Sequence, residues 1–237
     1  MVNRHERTRW AGWALLVSLI VPASAAAYVI EETSSGADLH WEAFPVNWRF
    51  GAIGSADLSV PTALTATQDA FAMWALVDGS DAYFAYLGTT TNNYADVVGC
   101  TDAGSDGVCD DGTNTVVWCE SGWEESPAAI GLTYNLYFAN TGTIFEADIT
   151  LNGEDYTWTT GDSGVQIDVG NIITHETGHL LGLGHSSVSD ATMYYSAVSG
   201  ETKKRTLHSD DEQGISVLYG DGIVTGGGGS TAGEGRG

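Results

Sequence analysis

The chain has 237 residues, with 31 acidic against 8 basic side chains and a formal net charge of −23. That length suits one domain with a sizeable core and little else. The charge argues against nucleic acid or an anionic membrane surface as a partner.

In chain order, Met1–Ala27 has the marks of a secretory signal. Arg4, Arg7 and Arg9 form a basic start, Trp10–Val21 is apolar, and Ala25, Ala26 and Ala27 offer small residues for cleavage before Tyr28. The apolar run is too short for a membrane anchor, and no later segment reads as a membrane span. The signal holds three of the 8 basic and one of the 31 acidic residues, so its removal leaves 5 and 30, a charge of −25. A secreted monomer is the expectation.

Tyr28–Ala43 is a short lead. Phe44–Phe50 alternates apolar and polar residues and is expected to be a strand. Pro61–Val77 carries Leu64, Phe71, Trp74 and Ala75 at near-helical spacing, with Pro61 suited to a first helical position. Ala82–Thr89 is the next strand. Asn92–Asn114 is rich in Asp, Gly and Asn and reads as a loop. Asp102, Asp106, Asp110 and Asp111 there either supply oxygens to calcium or make a solvated acidic loop; their spacing fits no twelve-residue calcium loop. Cys100, Cys109 and Cys119 allow three pairings with one thiol left over, Cys100–Cys109 being favoured.

Thr115–Cys119, Ile130–Phe138 and Ile144–Asn152 read as three more strands, the last alternating Phe145, Ala147, Ile149 and Leu151 with polar residues. Asp162–Gln166 is a loop, and Asp168 is placed to cap a following helix. Val169, Ile172, Ile173, Leu180 and Leu181 form the apolar face of that helix. Ser209–Glu212 reads as a capping box for a last helix, with Ile215, Leu218 and Tyr219 inward, His208 at its entry and Gly220 as its stop. Asp221–Gly237 is a Gly-rich tail or linker.

The chemistry concentrates in Asn171–Met193, NIITHETGHLLGLGHSSVSDATM. His175, Glu176, His179, Gly182 and His185 spell H-E-x-x-H-x-x-G-x-x-H. Residues four apart share a helix face, so His175 and His179 can direct two imidazoles at one ion. Gly182 can take the left-handed conformation that ends a helix, after which His185 can supply a third ligand. Three ligands leave a fourth position open for water, which Glu176 can reach as general base. A bare H-E-x-x-H arises by chance in roughly one chain of this length per hundred, and the added Gly and His make chance matches several hundredfold rarer.

These residues resemble the metzincin zinc metallopeptidases. Ser186 after the third histidine, Leu180–Leu183 within the motif and Asp190–Tyr194 beyond it resemble the matrixin branch, of secreted bacterial type. The resemblance is sharp from Thr174 to Tyr194, fair at the closing helix and loose elsewhere between Phe44 and Gly220. It implies an α+β, zincin-like catalytic domain over residues 28–220, flanked by the signal at 1–27 and the tail at 221–237. Its twisted, mostly parallel sheet of about five strands would pack on an N-terminal helix and the zinc-binding active-site helix, with a further helix at the C-terminus.

The resemblance further implies one catalytic Zn²⁺ on His175, His179 and His185, Glu176 as catalytic residue and Met193 in a Met-turn beneath the metal. Structural Ca²⁺ and extended polypeptide substrates are implied by the same analogy. Tyr195 stands where the matrixin pattern usually has proline. It either lines the pocket wall or, as in astacins and serralysins, approaches the metal or the oxyanion. The competing readings are a secreted binding or adhesion module that keeps the metal site with weak or no catalysis, and a metzincin of another branch.

Overall fold

The computed structural model describes residues 27–98 and 110–220. The expected signal (Ala27 apart), the Gly-rich tail, Cys100, Cys109, Asp102 and Asp106 lie outside the described residues.

The lead begins with a two-residue strand, β1 (Val29–Ile30), and is followed by β2 (Val46–Gly51), whose Val46, Trp48 and Phe50 face inward. Helix α1 (Val60–Ala75) starts where Ser59, in extended backbone, accepts from the Thr62 amide. Pro61 follows, where a missing amide hydrogen costs nothing. Ala63, Thr67, Ala70, Phe71 and Trp74 repeat at helical spacing and are buried. The Phe71 ring stacks on Trp48 of β2 with centroids 4.4 Å apart, tying helix to sheet.

The main sheet is completed by β3 (Phe84–Thr90), β4 (Thr115–Cys119), β5 (Gly131–Tyr137) and β6 (Ile144–Asn152), in the order β3-β2-β4-β6-β5. All neighbours run parallel except β5 and β6, which are antiparallel. β5 is therefore an edge strand.

The span read as one loop, Asn92–Asn114, contains a short helix, α2 (Tyr94–Val98). The Asn93 side chain accepts from the Ala95 amide while Asp96 reaches back to the Asn93 amide, and Tyr94 and Val97 are buried. Of the four aspartates considered for calcium two are described: Asp111 accepts from Asn92 and Thr113 within the loop, and Asp110 is exposed. Cys119 is buried and forms no disulfide among the described residues.

After β6, β7 (Trp158–Thr159) pairs with β8 (Ile167–Asp168), which leads directly into α3 (Val169–Leu180). Asp168 caps α3 by accepting from the Asn171 amide at 2.8 Å. Val169, Ile172, Ile173, Leu180 and Leu181 are all buried. Each is worth about 1.5–3 kcal/mol relative to exposure. Beyond the turn, β9 (Leu183–Gly184) pairs antiparallel with β1, so the lead is built into the fold. A single 3₁₀ turn, Lys203–Arg205, precedes α4 (Ser209–Tyr219).

The cap of α4 is His208, one residue earlier than the sequence indicated. His208 is extended and its Nδ1 accepts from the Asp210 amide, while Asp211 accepts from the His208 amide. Ser209 is thereby already helical. No helix of the described residues is long and apolar enough to cross a membrane.

Candidate active site

α3 supplies the first half of the site. Trp74 of α1 is fully buried and donates from its indole to the Thr174 carbonyl at 2.9 Å, fixing the helix one residue before His175. Gly178 lets Met193 and Trp74 close in: a Cβ there would lie 2.8 Å from the indole and collide with the methionine sulfur. The helix ends at Gly182, whose φ is +94°. The turn also needs a bare α-carbon because the Leu39 backbone lies against it, with its carbonyl carbon 2.9 Å from where a Cβ would sit.

That turn delivers His185 opposite His175 and His179. The ligand-capable atoms of the three lie within 4.8 Å of one another, the one such cluster among the described residues. The Nε2 atoms of His179 and His185 are 3.2 Å apart. Tetrahedral zinc with bonds of about 2.0–2.1 Å separates its ligand nitrogens by roughly 3.3 Å. The far nitrogens are held too: His175 Nδ1 meets the Thr192 carbonyl at 2.6 Å and His179 Nδ1 meets the Leu183 carbonyl at 2.7 Å. Both carbonyls only accept, so each Nδ1 carries the proton and each Nε2 keeps a lone pair for a metal. The donor set, its spacing and its tautomers fit one zinc ion.

Burial favours the neutral, lone-pair-bearing form at two of the three imidazoles. Burial pushes the His175 imidazole well below its ordinary pKa, and burial with the neighbouring His179 pushes His185 down to about 4. Burial pulls His179 the same way, but the Glu31 carboxylate, 3.5 Å from Nδ1, and the Glu176 charge outweigh it. Glu31 belongs to the lead and lines the cleft.

Glu176 is buried at the cleft wall, and burial raises its carboxyl above the usual range. Thr133 on β5 donates its hydroxyl to Glu176 Oε2 at 2.8 Å. Gly131 keeps the edge strand close, since a Cβ there would press on Glu176, Ile172 and Leu151 at 3.1 Å each. Asn135, also on β5, donates to the His179 carbonyl at 2.8 Å. The cleft so formed holds about 460 Å³ between β5 and the segment around Tyr195. β5 is thus the rim strand that alternation alone left open.

Met193 is buried against α3, and its turn is held by a carboxylate. Asp211, fully buried at the start of α4, accepts from the amides of Thr192 at 2.7 Å and Met193 at 3.0 Å. Asp210 accepts from the Ser186 hydroxyl at 2.6 Å and from the Ala27 amide at 2.8 Å. Tyr195 lines the cleft but is 66% exposed, its ring centroid 6.4 Å from that of His185.

The structure brings together the three histidines that the sequence singled out, with Glu176 on the same helix and Met193 packed against it. The sequence reading missed Thr133, Asn135, Gly131 and Trp74, and also Lys204, which lines the same cleft. It also placed Asp211 in a cap without seeing that the same carboxylate holds the Met193 turn.

Comparison with known proteins agrees with the geometry. The matrixin family model matches residues 134–220. The chain is 52% identical over 64 residues to metalloendoproteinase 5-MMP of Arabidopsis thaliana, covering 27% of this chain and 18% of that protein. It is 45% identical over 67 residues to human matrilysin, covering 28% of this chain and 25% of that protein. It is 51% identical over 53 residues to metalloendoproteinase 1 of Glycine max, covering 22% and 17%. The match thus spans a quarter or less of each relative's length. The fold is α+β, and the segment that carries the histidine cluster and the closing helix is similar to the matrixin family.

Proposed function

We propose that the chain is a secreted zinc endopeptidase that hydrolyses peptide bonds of extended polypeptides. The observation that carries the proposal is the convergence of His175, His179 and His185 beside the buried carboxylate of Glu176. In this reading the three histidines hold zinc through Nε2. A bound zinc ion supplies Lewis acidity that polarises a carbonyl and makes water a nucleophile near neutral pH.

The chain's own residues do the rest. Glu176, oriented by the Thr133 hydroxyl, takes a proton from the attacking water and returns it to the leaving amine. Its raised pKa suits a group that must both accept and give up that proton. The edge strand β5 offers unpaired backbone groups along the cleft, where an extended peptide can add as a further strand. Met193 and its Asp211 clamp form a stiff floor that keeps the histidines in register. Tyr195 serves as cleft wall, in keeping with its exposure.

Secretion rests on the signal-like Met1–Ala27, and the layout of signal, domain over 28–220 and Gly-rich tail follows from the same sequence pattern. The test is to purify the folded protein, count zinc per chain, and assay casein or gelatin cleavage with and without chelator. Cleavage that chelator abolishes and that Glu176→Ala loses with zinc still bound is the expected result. A zinc-loaded, folded protein that cleaves nothing would leave the binding-module reading standing.

A further inference from the structure

Lys204 is out of character with the rest of the surface chemistry. It is one of only 8 lysines and arginines against 31 acidic residues, yet its side chain is buried, at 1% exposure. It lines the same cleft as Glu176 and the three histidines. Its place is set from α3, because its backbone amide donates to Asn171 Oδ1 at 2.8 Å. Its ammonium donates to the Tyr194 carbonyl, one residue before Tyr195 on the cleft wall. An ammonium carries three donors, and one carbonyl occupies one of them.

No carboxylate among the described residues lies within ion-pair distance of that ammonium; the ion pairs there belong to His179, Lys203 and Arg205. A buried charge without a partner is costly, and so is a donor left unmade. Burial pushes the Lys204 pKa down to about 8, so the side chain still carries its charge at neutral pH. The neighbouring walls are apolar, among them Ala129, Ile130, Leu132 and Ala197. The cleft therefore offers room for methylenes and, at Lys204, a positive charge with no direct ion-pair partner, on which the carboxylates of Glu201, Glu176 and Asp211 act only from farther off.

We propose that Lys204 is a specificity-determining residue whose ammonium receives the carboxylate of a glutamate or aspartate side chain of the peptide in the cleft. The inference rests on the endopeptidase reading and names its substrate class: acidic polypeptide segments. The discrimination arises because a neutral side chain in that place leaves the buried ammonium without its anion, the situation in which binding sites reject an analogue most sharply.

The experiment uses fluorogenic peptides that carry Glu, Gln or Leu in turn at each position flanking the cleaved bond, with wild type, Lys204→Met and Lys204→Gln. Melting curves establish that the variants are folded. Wild type is expected to favour Glu over Gln at one position by roughly tenfold or more in kcat/KM. Both variants are expected to lose that preference, and Lys204→Met to turn it toward Leu. The same peptides are titrated by fluorescence anisotropy into the zinc-loaded Glu176→Ala protein, alone and with Lys204→Met.

If wild type cleaves none of the peptides, the endopeptidase reading fails, while tighter binding of the Glu peptide that vanishes with Lys204→Met still upholds the role of Lys204. The inference is overturned if Glu and Gln are equivalent at every position in wild type. It is equally overturned if the Glu preference survives in both folded variants, in which case the lysine only props the Tyr194 carbonyl.

Discussion

The Thr133 hydroxyl lies 2.8 Å from Oε2 and 3.0 Å from the carbonyl oxygen of Glu176, its one hydrogen shared between the side chain and the main chain of that residue. One side chain of the rim strand thus aims the carboxylate proposed as general base. A hydrogen bond to a charged group is worth about 1.5–3 kcal/mol, and about 1.4 kcal/mol is a factor of ten in rate. Thr133→Val is therefore expected to lower kcat by about tenfold or more, with zinc stoichiometry unchanged, and Thr133→Ser to restore most of it. Wild-type turnover in Thr133→Val would show that packing alone holds Glu176.

Gly182→Ala tests the turn between the second and third histidines. A methyl group there meets two obstacles: a φ of +94° that L side chains avoid, and the Leu39 backbone. Both must give by shifting His185 away from His175 and His179. The expected outcome is weaker zinc binding, read by titration against a competing chelator. An unchanged zinc affinity would mean that the lead, not the triad, absorbs the strain.

Asp211→Asn tests the floor of the site. The carboxylate accepts from the amides of Thr192, Met193 and His208. An amide side chain would turn an NH₂ group toward one or more of those N–H groups, leaving buried donors unmatched. A loss of about 2 kcal/mol is expected, or roughly 4–8 °C in melting temperature for a domain of this size. Because Thr192 also holds His175 through its carbonyl, zinc affinity should fall along with stability.

How far the sequence foretells the molecule depends on what each residue answers to. His175, His179 and His185 were legible because a helix fixes the i, i+4 relation and a glycine marks its end. Thr115–Cys119 and Ile144–Asn152 were legible from β-branched and alternating residues. Lys204 and Thr133 were not, because their partners are brought to them from elsewhere in the chain by tertiary packing, and an isolated lysine or threonine is ordinarily a solvated residue. The alternation of β6 also concealed something. Glu146, Asp148, Thr150 and Asn152, which read as a polar face, are all buried, while Phe145 is exposed. The strand lies inside the sheet, and its polar residues bond to the chain that covers them: Glu146 to the amides of Asp111 and Gly112, Asp148 to Thr115.

That buried face has a pH signature. Burial pushes both Glu146 and Asp148 up to about 7, against about 4 in an unfolded chain. The folded state then binds more protons than the unfolded one between those values, so these groups cost stability as pH rises from about 5 to 8. The Asp148→Asn variant keeps an oxygen for Thr115 and sheds the charge. In calcium-free buffer its melting temperature should exceed that of wild type at pH 8, with the gap closing toward pH 5. A gap that is constant across that range would rule out Asp148 as its source.

Tyr195 separates two uses of the same position. A metal-approaching phenol must come within bonding reach of the ion that the histidines hold. The Tyr195 ring centroid stands 6.4 Å from that of His185, and the ring packs on Tyr194 at 4.6 Å. The three histidines already satisfy the spacing of a metal cluster without it. At 66% exposure the side chain presents its face to whatever occupies the cleft, which is what a wall residue does. Tyr195→Phe keeps that face and removes only the hydroxyl, so kcat should stay within about twofold of wild type, while Tyr195→Ala should raise KM by loss of contact area. A drop in kcat of about a hundredfold in Tyr195→Phe, with zinc still bound, would instead mean that the side chain swings inward once substrate is present and that its hydroxyl steadies charge in the transition state.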